Sequence, residues 1–418
     1  MKKSLVRNKS FVLVMFGNTV SLLGDNMQRF ALSLYVLTIT HSAVKFSQVL
    51  MLAAIPQALL LPFAGVFADI KDRKAIMVIC DLISGGITCF FSIFFIIHGR
   101  VPIAAIYFLV FVLSITSAFE DPAANSVIPS IVEEEQYIKA ASINSTLNSI
   151  NNIITPTISA TLFGFFGILP LTIINSISFF ISAICEAIAD IPKIKDTGRI
   201  TPAKFFESLL GGVRFVKENS FIKALIFMIL ALNFSVCAIT IGVPIITIEL
   251  FKGSTLQLGI VNSFASAAML LSPFFIKTIA KNKKAQHLII LLSSLIILYF
   301  GLFAIITLPA IKGMINNKLS SIILLTLIYF LYMGTAVSVN ILVSATIPKI
   351  CPMEKMGRVD ALITMSAYTT SLIGKLLFGY SYAYLPAFGN MLIGIVFTMI
   401  STLFISYPML RSKDVYVT

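Results

Sequence analysis

Apolar residues along this chain come in long runs divided by short polar breaks. The runs fall near 11–39, 46–68, 75–97, 102–119, 137–163 and 168–190, and again near 222–250, 256–280, 286–308, 319–347, 357–380 and 384–408. A helix rising 1.5 Å per residue needs about twenty residues to cross a hydrocarbon core of roughly 30 Å. These runs are close to that length or longer, whereas barrel strands would alternate apolar and polar residues over about ten positions. The pattern therefore predicts an all-α membrane protein with twelve transmembrane helices. One long polar stretch divides it into an N-terminal six-helix bundle (1–190), a linker (191–220) and a C-terminal six-helix bundle (221–418).

Composition agrees with the pattern. Of 418 residues, 58% are hydrophobic and only 12% charged, against about 25% charged in a soluble globule, so a soluble enzyme is excluded. The net charge of +13 would suit a nucleic-acid binder unless the basic residues are sorted by side. They are: with twelve spans, 24 of the 31 Lys and Arg fall on the side of both chain ends, and Lys45, Arg100, Lys252, Lys312 and Lys318 on the other. Excess Lys and Arg mark cytoplasmic loops, so both termini are expected in the cytoplasm and no nucleic-acid partner is needed. The basic start (Lys2, Lys3, Arg7, Lys9) resembles a signal peptide, but its apolar run continues to about Thr40 with no small-residue cleavage site. It is expected to persist as the first span.

Reactive constellations are not evident in the sequence. The five cysteines lie in or beside apolar runs without metal-ligand spacing and read as small apolar packers. His41, His98 and His287 stand singly in different loops or loop edges, which gives no catalytic set; no metal, no cofactor and no enzymatic activity are expected. A receptor would need a large soluble signalling region, which the hydropathy pattern does not provide. No G-x-x-x-x-G-K-S/T phosphate loop occurs, so nothing driven by ATP through this chain alone is expected, and any work it does is expected to draw on an ion gradient.

The halves repeat one another. Ile128-Pro129-Ser130-Ile131 is echoed 219 residues later by Ile347-Pro348-Lys349-Ile350, and Pro62-Phe63 is echoed 211 residues later by Pro273-Phe274. Both echoes fall at corresponding loops of six-span units. Six is even, so the copies share one topology, the parallel-repeat arrangement of secondary transporters.

The turn after the second run, Gly65-Val66-Phe67-Ala68-Asp69-Ile70-Lys71-Asp72-Arg73-Lys74, resembles the G-x-L-A-D-R-x-G-R-K signature of the major facilitator superfamily. It matches at Gly65, Ala68, Asp69, Arg73 and Lys74, and departs at Ile70 and Asp72. The resemblance covers essentially the whole chain. It implies two pseudo-symmetric six-helix bundles and a cytoplasmic gate in which Arg73 pairs with a span-four carboxylate, Glu120 or Asp121. Ala118-Phe119-x-x-Pro122-Ala123, Asn144-Ser145, the stretch Phe206 to Asn219 and Gly357-Arg358-Val359 are similar to the bacterial branch of macrolide-efflux and siderophore-export proteins. Residues 203–217 also read as a short amphipathic helix at the headgroups.

Polar groups inside spans mark function by default. Asp25 and Arg29, four apart and flanking Gln28, share one face of the first span. Two readings stay open: Asp25 carries the coupling proton or holds substrate, or the pair is a permanent structural bridge. Asn144, Asn148, Asn151 and Asn152 form a stripe on the fifth span that either lines the route or joins helices through hydrogen bonds. Lys375 either enters the cavity or reaches outward to the interface. Asp81, Glu186 and Asp190 are expected at the cytoplasmic rim.

The expected protein is a multi-pass bacterial plasma (inner) membrane transporter, monomeric, with the lipid bilayer, protons and a small-molecule substrate as partners. It would exchange protons for an amphipathic or hydrophobic compound such as a drug, macrolide or siderophore by alternating access. Uptake or flipping of a nutrient or lysophospholipid by the same fold is the alternative, and a non-transporting membrane receptor a remote one.

Overall fold

The structure, a computed structural model, describes residues 5–192, 220–280, 284–310, 317–350 and 353–411. After a short turn at Leu5–Arg7 come α1 (Lys9–Thr40), α2 (Ala43–Ile70), α3 (Arg73–His98), α4 (Ile103–Ile131), α5 (Tyr137–Phe166) and α6 (Ile168–Ile188). The second series is α7 (Ser220–Ile245, passing into a π-helical turn at Ile246–Leu250), α8 (Thr255–Ala280), α9 (Ala285–Ile306), α10 (Lys318–Ile350), α11 (Met353–Tyr384) and α12 (Ala387–Arg411). No strand occurs among the described residues. The amphipathic segment expected at 203–217 lies outside them.

Local chemistry explains the breaks. Asp72, in extended conformation, accepts hydrogen bonds from the Lys74 and Ala75 amides at 3.0 and 3.4 Å and so starts α3, the usual work of an N-cap aspartate. The departure from the family's glycine at this position thus has a structural use. Gly167, at φ 72°, forms the break between α5 and α6, a conformation that favours residues without Cβ. α4 continues to Ile131 through Pro122 and Pro129, well past the apolar run that ends near 119. Glu120 and Asp121 therefore lie inside a helix rather than at its end.

Among the described residues, nine helices are long and apolar enough to cross a membrane. α1, α5 and α11 are equally long but do not meet that measure; they carry the Asp25–Arg29 pair, the Asn stripe and the Thr/Ser-rich stretch before Lys375.

The chain divides into two compact units: Met1–Thr40 with Gln48–Phe205, and His41–Ser47 with Phe206–Thr418. In the first unit α1 packs on α4, α5 and α6, and α3 on α4 and α6. In the second, α7 packs on α10, α11 and α12, and α9 on α10 and α12. Adding six to each helix number converts these first-unit packings into these second-unit ones, while α8 also packs on α10, a packing without a first-unit counterpart among the described residues. α1 and α6 approach closely because Gly24 lacks a side chain: a Cβ there would stand 2.5 Å from Asn175 Oδ1 and Ser178 Oγ. At the end of the first unit bearing the Arg73–Lys74 turn, Val14, Ala68, Ile76, Met77, Ala123, Ala124, Val127 and Ala189 form one buried apolar cluster.

Candidate functional site

Three polar constellations occupy the first unit. The first is on α1. Arg29 Nε donates to Asp25 Oδ2 at 2.7 Å, and the guanidinium also donates to Ser114 Oγ (2.7 Å), the Leu113 carbonyl (2.8 Å) and Ser117 Oγ (2.8 Å) of α4. Both members of the pair are buried. Arg29 is thereby fixed by three α4 acceptors in addition to Asp25, while Asp25 Oδ1 has no hydrogen-bond partner. Gln28, fully buried, turns to α6, where its Oε1 accepts from Asn175 Nδ2 at 2.7 Å and its Nε2 is unpartnered. The face shared by Asp25, Gln28 and Arg29 is thus divided between two neighbouring helices.

The second constellation is a cleft of about 320 Å³ between α4 and α5, lined by Asn125, Ile128, Tyr137, Ala141, Asn144, Ser145, Asn148, Ser149 and Asn152. Asn144 Nδ2 donates to Asn125 Oδ1 at 3.1 Å, and its own Oδ1 is buried without a partner. Amides and hydroxyls dominate this wall and no lining residue is charged, so it suits a neutral polar group that can both donate and accept. Asn151 does not line it: buried against α1, it donates to the Thr19 carbonyl at 3.3 Å. The stripe expected to act as one surface therefore splits, Asn144, Asn148 and Asn152 facing the cleft and Asn151 joining helices. Asn125, Tyr137 and Ser149 were missed because a single Asn, Tyr or Ser carries no periodic signal of its own.

The third constellation corrects one expectation. Glu120 does not pair with Arg73. Its carboxylate points inward, where ligand oxygens of Asp81 (α3), Glu120 (α4) and Glu186 (α6) all lie within 4.8 Å of one another. Asp81 and Glu186 are fully buried, whereas Asp190 is exposed. At that spacing each pair of ionised carboxylates repels by at least about 3 kcal/mol even at an effective dielectric of 20.

The turn itself is braced by backbone. Arg73 donates to the carbonyls of Ala68 (3.2 Å) and Ser126 (2.8 Å), and Lys74 Nζ to the Ala189 carbonyl (2.8 Å). Arg73 and Lys74 thus tie α3 to the ends of α2, α4 and α6. Asp121 is on the exposed side of α4. Gly65 and Asp69 belong to α2 by their backbone, but their side chains lie outside the described residues. Lys375 belongs to the second unit, half-buried on α11, where its charge acts on the Cys237 thiol of α7.

Long apolar helices in two compact units, with buried polar groups on the least apolar of them, define a multi-pass helical membrane protein. The sequence model of the Major Facilitator Superfamily matches residues 14–375, and the chain belongs to that family. It is 29% identical over 261 residues to macrolide efflux protein A of Streptococcus pyogenes, a match covering 62% of this chain and 64% of that relative. The chain thus spans under two thirds of that relative's length. It is also 23% identical over 268 residues to the staphyloferrin A transporter of Staphylococcus aureus, covering 62% of this chain and 64% of the relative. A solved bacterial homologue of the iron transporter ferroportin, in an inward-facing state, superposes with a TM-score of 0.73 at 14% identity, covering 98% of this chain and 100% of that one; at such identity the likeness shows the fold alone. Membership of the Major Facilitator Superfamily makes this chain a multi-pass transporter of the bacterial plasma (inner) membrane.

Proposed function

We propose that the chain is a proton-coupled exporter of amphipathic or hydrophobic small molecules, in the class of macrolides, other drugs or siderophores. In this reading it has twelve spans with both termini cytoplasmic and works as a monomer by alternating access of its two six-helix units. The observation that carries the reading is the buried Asp25, with one carboxylate oxygen unpartnered, in the same unit as the amide-lined cleft. Sequence similarity to a macrolide efflux protein and to a siderophore transporter supports the substrate class.

The chemistry follows from those residues. Asp25 Oδ1 takes the proton; Arg29 keeps its three α4 acceptors whether or not Asp25 is charged, so the change in charge is borne by the carboxylate and not by a swinging guanidinium. Asn144, Asn148 and Asn152 hold polar substituents of a largely apolar substrate. Arg73 and Lys74 brace the cytoplasmic end through carbonyls of three other helices, the place of the gate in this reading.

Expression in an efflux-deficient bacterium tests it. Resistance to a macrolide should rise, and intracellular accumulation of the compound should fall until an uncoupler collapses the proton gradient. No change in resistance or accumulation across a panel of macrolides, other drugs and siderophores would refute the substrate class, and export indifferent to the uncoupler would refute the coupling.

A further inference from the structure

The Asp81–Glu120–Glu186 group has no part in the reading above. We propose that it is a binding site for a hard divalent cation of the calcium or manganese kind. Geometry is the first argument. Three oxygens no more than 4.8 Å apart leave a point within about 2.8 Å of all of them, a few tenths of an ångström outside the 2.3–2.6 Å of calcium–oxygen bonds. A small contraction of side chains closes that gap. All ligands are carboxylate oxygens, which suit hard ions such as calcium, magnesium and manganese.

The second argument comes from hydrogen-bond accounting and not from proximity. Asp81 and Glu186 are fully buried, yet their four carboxylate oxygens have a single donor between them, the Ser182 hydroxyl. Ser182 stands 3.5 Å from Glu186 Oε1 and also acts on Asp81, and its one proton serves one oxygen at a time, which leaves at least three of the four without a donor. Buried polar atoms are nearly always satisfied, and orphans of this kind call for an explanation.

Charge is the third argument. Among the described residues no basic side chain pairs with the three acids. Arg29, the cation on the adjacent helix, is committed to Asp25 and to α4, and Lys74 to the Ala189 carbonyl. The other charged groups acting on the cluster, Asp25 and Asp121, are acids. A buried anionic trio on three separate helices is stabilised by an ion that bridges them, and the ion in turn clamps α3, α4 and α6 at this end of the unit. Glu120, the least buried of the three at 7% exposure, marks the way in.

Manganese is the probe. Detergent-purified, chelator-washed protein is titrated with Mn²⁺ at pH 7.5, and free ion is counted by electron paramagnetic resonance. One Mn²⁺ should bind per chain with a Kd below about 1 mM, the weak end for carboxylate sites, and Ca²⁺ should compete. Asp81→Asn and Glu186→Gln should each weaken binding at least tenfold, and Asp190→Asn, at an exposed acid on the same end of α6, should leave it unchanged. If a core variant fails to fold, Glu120→Gln serves in its place. The wild type should also melt at higher temperature with added Ca²⁺ than with chelator. Absence of stoichiometric Mn²⁺ binding by the wild type overturns the proposal, as does binding that survives Asp81→Asn or Glu120→Gln. Stabilisation by acid alone, without any metal effect, identifies the trio as a proton store and overturns it equally.

Discussion

Replacing Arg29 should be far more damaging to the fold than replacing Asp25, even though they are partners in one ion pair. In Asp25→Asn, the side-chain oxygen still accepts from Arg29 Nε, and the guanidinium keeps Ser114, the Leu113 carbonyl and Ser117 at 2.7–2.8 Å. In Arg29→Gln, the buried carboxylate keeps only Ser117 Oγ at 3.4 Å, and the Leu113 carbonyl and both serines lose their charged donor. Removing one partner of a buried pair costs roughly 3–5 kcal/mol. The carboxamide variant should cost about 1 kcal/mol, the size of one ordinary hydrogen bond. The assay is thermal unfolding in mild detergent, read by native tryptophan-independent probes such as thiol labelling of the buried Cys80, Cys185 and Cys237. Arg29→Gln should unfold many degrees below wild type and Asp25→Asn only slightly below it, while the double variant recovers part of the Arg29→Gln loss because no unpaired carboxylate remains. Equal destabilisation by the two single variants, or a double variant worse than both, would refute this account of the pair.

Further expectations follow from the other contacts. Gly24→Val should separate α1 from α6 and cost about 1–3 kcal/mol by overpacking, since even a Cβ stands 2.5 Å from Asn175 and Ser178; a melt indistinguishable from wild type would show the helices are not in close contact. Asn148→Leu, placed in the cleft wall, should lower macrolide resistance several-fold without changing membrane abundance, and unchanged resistance would remove the cleft from the substrate route. Asp72→Ala should cost about 1 kcal/mol through loss of the α3 cap, whereas Asp72→Asn should restore most of it, both read by the same melt.

The helices were legible because crossing a membrane demands uninterrupted apolar length, a property that survives without any knowledge of neighbours. The family was legible because one turn, Gly65 to Lys74, is dense in residues of fixed spacing. The end of α4 was not: Glu120, Asp121 and Pro122 look like a loop in sequence, yet the helix runs on to Ile131 with Glu120 turned into the core. Nothing near Glu120 in sequence announces Asp81 and Glu186, which come from helices folded beside it. Arg73 was read through its family role as a carboxylate's partner, and its bonds to the Ala68 and Ser126 carbonyls depend on where α4 ends, which the sequence did not disclose. The Asn stripe was half legible for a geometric reason. At about 100° per residue, positions 141, 144, 145, 148, 149 and 152 share a wide face, while 151 falls just beyond its edge and meets α1 instead.

The central claim is that proton movement through Asp25 drives export. Its most direct measurement is in proteoliposomes containing the purified protein, a pH-sensitive dye and an imposed proton gradient, challenged with a macrolide. The account predicts that adding the macrolide speeds collapse of the gradient, that the gradient drives accumulation of the compound against its own concentration, and that both effects vanish in Asp25→Asn while the protein remains folded. Macrolide transport that proceeds equally with and without the gradient, or that persists with full proton coupling in Asp25→Asn, would contradict it.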